Sequence, residues 1–385
     1  MKKTIAVITG TRAEYGLLKP LITALHNDSN ITMQLLVTGM HLSSIHGNTI
    51  NEIKTDRFEI TTKINSHLKD DSSIGISLSI AETIKGFSEA FEKLNPDLIV
   101  VLGDRSEIFA AAIAATVKGI PIAHIHGGET TEGAYDEAFR HSITKMSHWH
   151  FTATQTYKKR VIQLGEQPNS VFNVGAIGID SITHLDLMSK QEFEASIDFK
   201  LNKRNVLITF HPVTLENKTS ELQFKELLLA LDKLENTTLI FTKPNSDKDG
   251  RIIIRLTDDY VTKHPNKAVA FKSLGQLRYL SALKYMDVVV GNSSSGIIEV
   301  PLFKIPTINI GDRQKGRLMP ASVINCKPGK VSITKALEKS FSLEFLNSIK
   351  DLPNDYGNGT ATKQIMEIIT KNPIPEIKKS FFDLK

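Results

Sequence analysis

The sequence predicts an α/β protein with two doubly wound domains, each built on a parallel sheet. Short β-branched and apolar runs alternate along the chain with segments of helical spacing, which is typical of repeated βα units. Those apolar runs are nearly continuous, as parallel strands covered on both faces require. A polar and charged stretch, residues 183–204, separates two sets of units, and the length of 385 residues fits two domains.

The first predicted domain, residues 1–185, opens with a strand over residues 4–9, a turn at Gly10 and a helix from Tyr15 to His26. Leucines and an isoleucine at intervals of three and four residues indicate that helix. The other strands of this domain are predicted at residues 31–37, 57–64, 97–104, 119–125 and 149–154. Helical patterns at 73–94 and 106–118, and after the last two strands, complete the βα units.

The second predicted domain, residues 186–358, repeats this organisation. Its strands are predicted at residues 205–210, 237–242, 268–271, 287–291 and 306–311, with helices near 220–235, 248–258, 275–284 and 296–303. A last helical pattern begins the segment 359–385, which is long enough to cross back to the first domain. Two similar domains predict an interdomain cleft, a common position for a ligand.

The composition excludes several classes of function. Apolar residues make up 41% and charged residues 23% of the chain, both ordinary for a globular protein. The net charge is +5 with basic and acidic residues interleaved, which argues against nucleic-acid and membrane partners. One cysteine, Cys326, excludes an internal disulfide and a thiolate metal cluster. With no signal peptide and no apolar run near the roughly 20 residues of a membrane span, we expect a cytoplasmic protein.

In a doubly wound protein the reactive residues lie in loops at the carboxyl ends of the strands. The loop Gly10–Gly16, GTRAEYG, offers Arg12 and backbone N–H groups to an anion, or is an ordinary βα turn with a surface arginine. It is not the GxGxxG of a dinucleotide site. After the strand at 97–104, Asp104 and Arg105 are candidates, although an aspartate there is often only a helix N-cap.

The densest polar chemistry lies in residues 121–141, PIAHIHGGETTEGAYDEAFRH. This stretch contains three imidazoles, three carboxylates and an arginine: His124, His126, His141, Glu129, Asp136, Glu137 and Arg140. Helical register allows the ordinary ion pairs Asp136–Arg140 and Glu137–His141. The His-x-His spacing is also a metal-ligand spacing, but no third ligand follows at a known interval, so we expect no metal.

Two loops of the second domain have similar promise. His211 follows a strand and is held in a turn by Pro212; it is either structural or faces the cleft. In Gly291–Glu299, GNSSSGIIE, the hydroxyls of Ser293 and Ser294 can bind phosphate and Glu299 can hold ribose hydroxyls. A serine-rich linker is the alternative, but a linker is not flanked by an apolar strand and an apolar helix.

These loops, in this order, resemble those of the hydrolysing UDP-N-acetylglucosamine 2-epimerases of bacterial sialic-acid pathways, and of the epimerase half of the bifunctional animal enzyme. The resemblance spans about residues 3–370, and eight motifs in fixed order make it specific. The matching segments are GTRAEYG (10–16), GDR (103–105), HIHGGE (124–129), DEAFRHSITKMSH (136–148), HPVT (211–214), PNSD (244–247), GNSSSGIIEVP (291–301) and INIGDRQKGR (308–317).

The resemblance implies a GT-B-like fold, in which two Rossmann-like domains close on a nucleotide sugar. It implies hydrolysis of UDP-N-acetylglucosamine with inversion at C2, giving UDP and N-acetylmannosamine for sialic-acid synthesis. In that mechanism UDP is eliminated as the C2 proton is removed, and water then adds to the 2-acetamidoglucal. The resemblance implies no cofactor and no metal, and a homo-oligomer, either a dimer or a tetramer.

Roles for individual residues follow from the same resemblance. It assigns acid–base work or sugar contact to Asp104, His126, Glu129, Asp136 and His211. It assigns binding of the nucleotide sugar to Arg12, Arg105, Arg140, Asn245, Ser293, Ser294, Glu299 and Arg313. Asn245 falls in the uracil-side loop, and Glu299 matches the ribose-binding glutamate.

One departure from the family pattern concerns the acid–base residues. Many relatives have a glutamate where this chain has His126, so either His126 transfers the proton or neighbouring carboxylates do. A different sugar is then an alternative, such as the 2,4-diacetamido-trideoxy sugar of legionaminic-acid pathways, linked to UDP or GDP. A non-hydrolysing epimerase, a GT-B glycosyltransferase and a nucleotide-sugar sensor are further alternatives.

Overall fold

A computed structural model of the chain divides into two compact units, one formed by residues 1–183 with 355–385 and the other by residues 184–354. The structure describes residues 2–43, 49–66, 72–130, 135–183, 185–212, 219–244 and 250–384. Each unit contains a parallel sheet with helices between its strands, so the predicted α/β class with two Rossmann-like domains is confirmed. Among the described residues, no helix has the length and apolar character needed to cross a membrane.

The sheet of the first unit is parallel throughout and has the strand order β3-β2-β1-β4-β5-β6-β7. Its strands are β1 (Lys3–Thr9), β2 (Ile31–Thr38), β3 (Thr62–Ile64), β4 (Leu98–Leu102), β5 (Ile122–Ile125), β6 (Trp149–Thr152) and β7 (Val171–Asn173). The order reverses direction between β1 and β4. Such a topological switch point leaves a crevice at the carboxyl ends of the two strands, where doubly wound proteins bind ligands.

The helices of this unit cover both faces of the sheet. They are α1 (Arg12–Asn27), α2 (Ile50–Thr55), α3 (Ser73–Leu94), α4 (Ser106–Lys118), α5 (Asp136–Met146), α6 (Gln155–Gln163) and α7 (Ile177–Thr183). Alternate residues of β1 belong to separate apolar clusters: Val7 packs with residues of α1, whereas Ala6 and Ile8 pack with residues of α3 and α4. Burial of both faces explains why these strands have nearly continuous apolar sequences.

The second unit has a parallel sheet of strand order β10-β9-β8-β11-β12-β13. Its strands are β8 (Arg204–Thr209), β9 (Thr237–Thr242), β10 (Ala268–Phe271), β11 (Val288–Gly291), β12 (Thr307–Ile310) and β13 (Val323–Cys326). Its helices are α8 (Lys190–Ile197), α9 (Ser220–Leu231), α10 (Gly250–Lys263), α11 (Gly275–Leu283), α12 (Ser295–Ile298), α13 (Lys330–Ser340) and α14 (Leu343–Ile349). The switch point of this sheet lies between β8 and β11.

The C-terminal helix α15 (Ala361–Lys371) belongs to the first unit. Ile365 and Ile369 on α15 are buried in the same cluster as the apolar face of α1. The carboxylate of Asp180, on α7, accepts the backbone N–H groups of Ala361 and Thr362 and so satisfies the first turn of α15. Lys3 binds the other end of the helix through the carbonyl of Ile369, at 2.6 Å.

Differences from the predicted elements include the segments 57–64, 183–204 and 296–303. The predicted strand at 57–64 is ordered as a strand only from Thr62. The polar stretch 183–204 contains α8, because Ser189 and Glu192 form a capping box that starts a helix there. The predicted helix at 296–303 is instead the short α12 followed by a 3₁₀ turn at Val300–Phe303.

Candidate active site

The loop after β1 is closed by the side chain of Glu14. Thr11 is the N-cap of α1, and its hydroxyl accepts the backbone N–H of Glu14. In return, Oε2 of Glu14 accepts the N–H groups of Gly10 at 2.8 Å and Thr11 at 3.0 Å. Those two N–H groups are therefore used within the loop, so the prediction that the loop's backbone binds an anion is wrong for them. The side chain of Arg12 takes no part in these hydrogen bonds. It is 64% exposed and pairs with Glu52 at 2.8 Å.

The loops after β4 and β5 are joined by Arg140 of α5. Its buried guanidinium pairs through Nη2 with Oδ2 of Asp104 and donates through Nη1 to the carbonyl of His126, at 2.9 Å. The N-cap of α4 is Arg105, without a side-chain hydrogen bond, so the alternative that Asp104 is a helix cap is wrong. Arg140 thus holds the Asp104 carboxylate at the carboxyl edge of the sheet.

His126 and Glu129 form the next part of this edge. His126 has φ of +66°, a left-handed conformation that is uncommon for a residue other than glycine. Its Nδ1 lies 3.2 Å from Oε1 of Glu129, and its Nε2 accepts the backbone N–H of Ile177 at 3.3 Å. Because Nε2 is an acceptor, the ring carries a proton on Nδ1, the nitrogen nearer to Glu129. Both side chains are buried, His126 at 9% and Glu129 at 4% exposure.

The other imidazoles of residues 121–141 are bound within the first unit. His124 is fully buried, with Nε2 at 2.8 Å from the carbonyl of Gly103 and Nδ1 at 3.2 Å from the hydroxyl of Thr144. Burial lowers the pKa of His124 to about 3, so the ring is neutral. His141 makes the predicted contact with Glu137, at 3.1 Å. Within the described part of the chain, no group of three or more His, Cys, Asp or Glu side chains is arranged to hold a metal ion.

Asp136 and Arg105 influence each other at the same edge. Asp136 lies in the first turn of α5 and is partly exposed. Burial by itself would lower the pKa of the Arg105 guanidinium, but the carboxylates of Glu107, Glu14 and Asp136 outweigh it and raise the pKa above its ordinary value.

The sequence patterns alone do not single out Glu14 or Glu107. Glutamates in the first turns of α1 and α4, directly after strand-end loops, were the signal available.

In the second unit, Asn292 organises the switch point between β8 and β11. Its Oδ1 accepts the backbone N–H of His211 at 2.7 Å, and its Nδ2 donates to the carbonyl of His211 at 2.8 Å. The carbonyl of Asn292 accepts from Arg313 Nη1 and Gln314 Nε2, each at 2.9 Å. Asn292 therefore brings the predicted residues His211 and Arg313 to one edge. The sequence alone assigns no role to Asn292, although it directly follows strand β11.

The serine loop leads into a partly buried glutamate, Glu299. Ser294 is the N-cap of α12, and Oγ of Ser293 accepts the N–H of Ser295 at 3.4 Å. The hydroxyl of Ser295 donates to Oε2 of Glu299 and lies 2.6 Å from the hydroxyl of Tyr279. Burial raises the pKa of Glu299, and the hydrogen bond from Ser295 opposes that shift.

One predicted residue of the second unit, Asn245, lies outside the described residues. The remaining predicted residues fall into two groups, one at the β1/β4 edge of the first unit and one at the β8/β11 edge of the second. The first group contains Asp104, Arg105, His126, Glu129, Asp136 and Arg140; the second contains His211, Ser293, Ser294, Glu299 and Arg313. Arg12 is near the first group in sequence but is bound to Glu52 of α2.

The fold and the two loop-lined edges define a GT-B-type protein with two Rossmann-like domains. A crystal structure of UDP-GlcNAc 2-epimerase from Neisseria meningitidis, bound to UDP-GlcNAc, has the same fold, with a TM-score of 0.75. That likeness covers 96% of this chain and 100% of the other chain at 20% identity.

The family model for UDP-N-acetylglucosamine 2-epimerase matches residues 23–370. The chain is 42% identical over 385 residues to the GDP/UDP-N,N'-diacetylbacillosamine 2-epimerase (hydrolyzing) of Campylobacter jejuni subsp. jejuni, with 100% of both chains covered. It is 30% identical to a UDP-N-acetylglucosamine 2-epimerase of Neisseria meningitidis serogroup B, with 99% of both chains covered. The chain therefore belongs to the UDP-N-acetylglucosamine 2-epimerase family, as its motifs predicted.

Proposed function

We propose that this protein is a hydrolysing 2-epimerase of a nucleotide-linked 2-acetamido sugar. The observation that carries the proposal is the group of Asp104, His126 and Glu129 at the carboxyl edge of the first sheet. Arg140 binds the Asp104 carboxylate and the His126 carbonyl there, and Nδ1 of His126 lies 3.2 Å from Glu129. Carboxylates whose positions are fixed by neighbouring groups are suited to proton transfer, because they can be held within hydrogen-bond reach of a substrate atom. Family membership directs that chemistry to C2 of a sugar.

The reaction needs a base, an acid and a stabilised leaving group. The C2 proton, on the carbon that bears the acetamido group, is weakly acidic, so a carboxylate has to be held within reach of it. We assign Asp104, Glu129, Asp136 and His211 to proton transfer and sugar contact. Removal of the C2 proton and departure of the nucleoside diphosphate give a glycal, and water then adds with the opposite configuration at C2. Arg140 donates to Asp104 and to a carbonyl, so we assign it to holding Asp104 rather than to binding the substrate.

The nucleotide part is assigned mainly to the second unit. The hydroxyls of Ser293 and Ser294 and the guanidinium of Arg313 provide donors to phosphate oxygens, which stabilise the charge that develops on the leaving diphosphate. Glu299 is assigned to the ribose hydroxyls, and Asn245 to the base. From the first unit, Arg105 and Arg12 supply further positive charge.

For the sugar we put UDP- or GDP-linked N,N'-diacetylbacillosamine first. This choice is supported by the 42% identity over the full length of a relative named for those substrates. It also agrees with His126 standing where a glutamate is expected, since that residue lies at the proposed sugar edge. UDP-N-acetylglucosamine is the second candidate, supported by the 30% identical relative named for it.

Product analysis without an acceptor tests this function. The purified protein is incubated in D₂O with UDP-N-acetylglucosamine, UDP-diacetylbacillosamine and GDP-diacetylbacillosamine separately, and products are identified by NMR and mass spectrometry. We expect free 2-epimeric sugar with one deuterium at C2, together with UDP or GDP. A nucleotide-linked epimer would make the protein a non-hydrolysing epimerase. Binding without any release of nucleoside diphosphate would contradict the proposal and favour a transferase or a sensor.

A further inference from the structure

Two buried glutamates at the β1/β4 edge have no role in the function proposed above. Glu14 belongs to α1, which follows β1, and Glu107 belongs to the first turn of α4, which follows β4. Each side chain lies within a few per cent of full burial, at 6% exposure. Acidic residues are rarely buried this deeply unless a charge or a hydrogen bond requires them.

The carboxylate of Glu107 contacts three loops that end neighbouring strands. Its Oε1 accepts Nε–H of Arg105 at 2.7 Å, and its Oε2 accepts the hydroxyl of Ser106 at 3.2 Å, both after β4. Gly10 after β1 and Gly39 after β2 lie close to Oε1 of Glu107. A Cβ added to Gly10 would be 2.5 Å from Oε1, and a Cβ added to Gly39 would be 2.9 Å from it. The two glycines therefore leave the space that the carboxylate occupies.

Arg105 has one side of its guanidinium fixed and the other side available. Its side chain is 37% exposed, and Nε is the only nitrogen of the group that bonds a protein atom among the described residues. A guanidinium held through Nε presents the N–H groups of Nη1 and Nη2 in a fixed direction. That is the geometry which binds phosphate or carboxylate oxygens in pairs.

The titratable groups that surround Glu107 have shifted pKa values. The titratable groups that face it are Glu14 on α1, His41 in the turn after β2 and Arg105, with Asp136 of α5 acting on Arg105. Burial, followed by the charge of Glu107, raises the pKa of Glu14 to about 8. Burial lowers the pKa of His41 to about 4. Near neutral pH, Glu14 is protonated and His41 is neutral, so Arg105 is the charged group among those that face Glu107.

We propose that Glu107 is a positioning residue that aims the Arg105 guanidinium at an anionic phosphate group of the substrate. The inference rests on the proposed function for the identity of that substrate, and it adds the residue that makes Arg105 a directed phosphate ligand. Without the Glu107 carboxylate, a half-exposed arginine side chain would sample several rotamers and bind the anion less tightly.

A double-mutant cycle tests whether Glu107 acts through Arg105. The variants are Glu107→Gln, Arg105→Lys and both together, with Glu92→Gln as control, because Glu92 is an exposed glutamate of α3 that pairs with Lys118. The readouts are the dissociation constant of inorganic pyrophosphate by calorimetry, and KM and kcat for the nucleotide sugar. We expect Glu107→Gln to weaken pyrophosphate binding about tenfold and to raise KM more than it lowers kcat. The double variant should bind no more weakly than Arg105→Lys alone.

Other results would overturn the inference. Losses that add in the double variant would mean that Glu107 does not act through Arg105. An unchanged dissociation constant of pyrophosphate in Glu107→Gln would also contradict the inference. Wild-type protein that does not bind pyrophosphate would contradict the proposed anion site itself. Melting temperatures identify any variant that fails to fold. Arg105→Lys is at a partly exposed position, so it still measures what the paired N–H groups of the guanidinium contribute to anion binding. The proposed function is tested separately. If the double-mutant cycle gives the expected pyrophosphate affinities but no nucleotide sugar is turned over, the epimerase function is refuted and the anion site at Arg105 still stands.

Discussion

The Nδ1 atom of His126 lies 3.2 Å from Oε1 of Glu129, while the opposite ring nitrogen accepts the N–H of Ile177. An imidazole with both nitrogens in contact with protein atoms is well placed to orient a carboxylate and badly placed to shuttle protons to a substrate. The sequence left open whether His126 or a neighbouring carboxylate transfers the proton. The contacts of His126 favour Glu129 as the proton carrier and His126 as its support.

Replacing His126 with asparagine tests this assignment. Asparagine tolerates the left-handed backbone at this position but cannot reach both partners of the ring. We expect kcat to fall roughly 10- to 100-fold, less than the full contribution of a general acid or base, with KM within about threefold. His141→Asn is the matched control, since His141 contacts Glu137 on the same helix and has no assigned role in the reaction. A kcat for His126→Asn within twofold of wild type would refute the support role.

Asp104→Asn should abolish most turnover and spare nucleotide binding. The substitution removes the charge that Arg140 holds, so kcat should fall by at least about 100-fold. UDP affinity should stay within about threefold, because the substitution leaves Arg105 and the proposed phosphate and ribose residues of the second unit unchanged. Breaking the pair also leaves Arg140 buried without its countercharge, which costs roughly 3 kcal/mol of stability. Activity is therefore measured below the melting temperature of the variant, and wild-type turnover there would remove Asp104 from the reaction.

Glu299→Ala should weaken UDP binding above all. A hydrogen bond to a charged group is worth about 1.5–3 kcal/mol, so the dissociation constant for UDP should rise at least about tenfold. The control is Glu221→Ala, since Glu221 is exposed on α9 and pairs with Lys225. Calorimetric titration with UDP measures both variants. Equal UDP affinity in Glu299→Ala and wild type would exclude the ribose role and leave Glu299 as a partner of Ser295.

Much of the fold could be predicted because buried parallel strands have a strong local signal. Strands β1, β4 and β8 have continuous apolar sequences and were predicted in place. The short strands β7 and β13 were missed because an asparagine interrupts each brief apolar run, VFN in β7 and VINC in β13. Helix α8 was missed because its polar face dominated the composition, although its capping box was present in the sequence.

The sequence predicts which residues lie at the ends of the strands, but not which side chains contact one another there. Loops after strands correctly indicated which residues meet at each edge, because parallel strands place their carboxyl ends together. Which partner each side chain contacts depends on neighbours distant in sequence. Helical register allowed an ordinary ion pair of Arg140 with Asp136 four residues away, but its guanidinium is bound to Asp104 across the sheet edge. Glu107 was missed for the same reason, since its contacts with Gly10 and Gly39 are absent from any local pattern.

Glu14 gives the protein a stability that depends on pH in an unusual direction. Its pKa is raised from 4.5 in the absence of structure to about 8 in the fold, because the group is buried beside Glu107. The folded state therefore binds more protons than the unfolded state between these values, and this contribution is lost as the pH rises from about 4.5 through 8. Carboxylates that are paired with cations or accept hydrogen bonds have lowered pKa values instead, and their contribution to stability is lost as the pH falls.

Glu14→Gln should remove this dependence, because the amide oxygen can still accept the N–H groups of Gly10 and Thr11 and the side chain does not ionise. We expect the melting temperatures of variant and wild type to be similar at pH 5 and to diverge by pH 9, where the variant is more stable by at least about 1 kcal/mol. Glu192→Gln is the matched control: Glu192 closes the exposed capping box of α8, and its hydrogen bonds to Ser189 lower its pKa. Its difference from wild type should be constant from pH 5 to pH 9. Calorimetric scans at pH 5, 7 and 9 measure all three proteins, and a constant difference between Glu14→Gln and wild type would mean that Glu14 is ionised throughout this range.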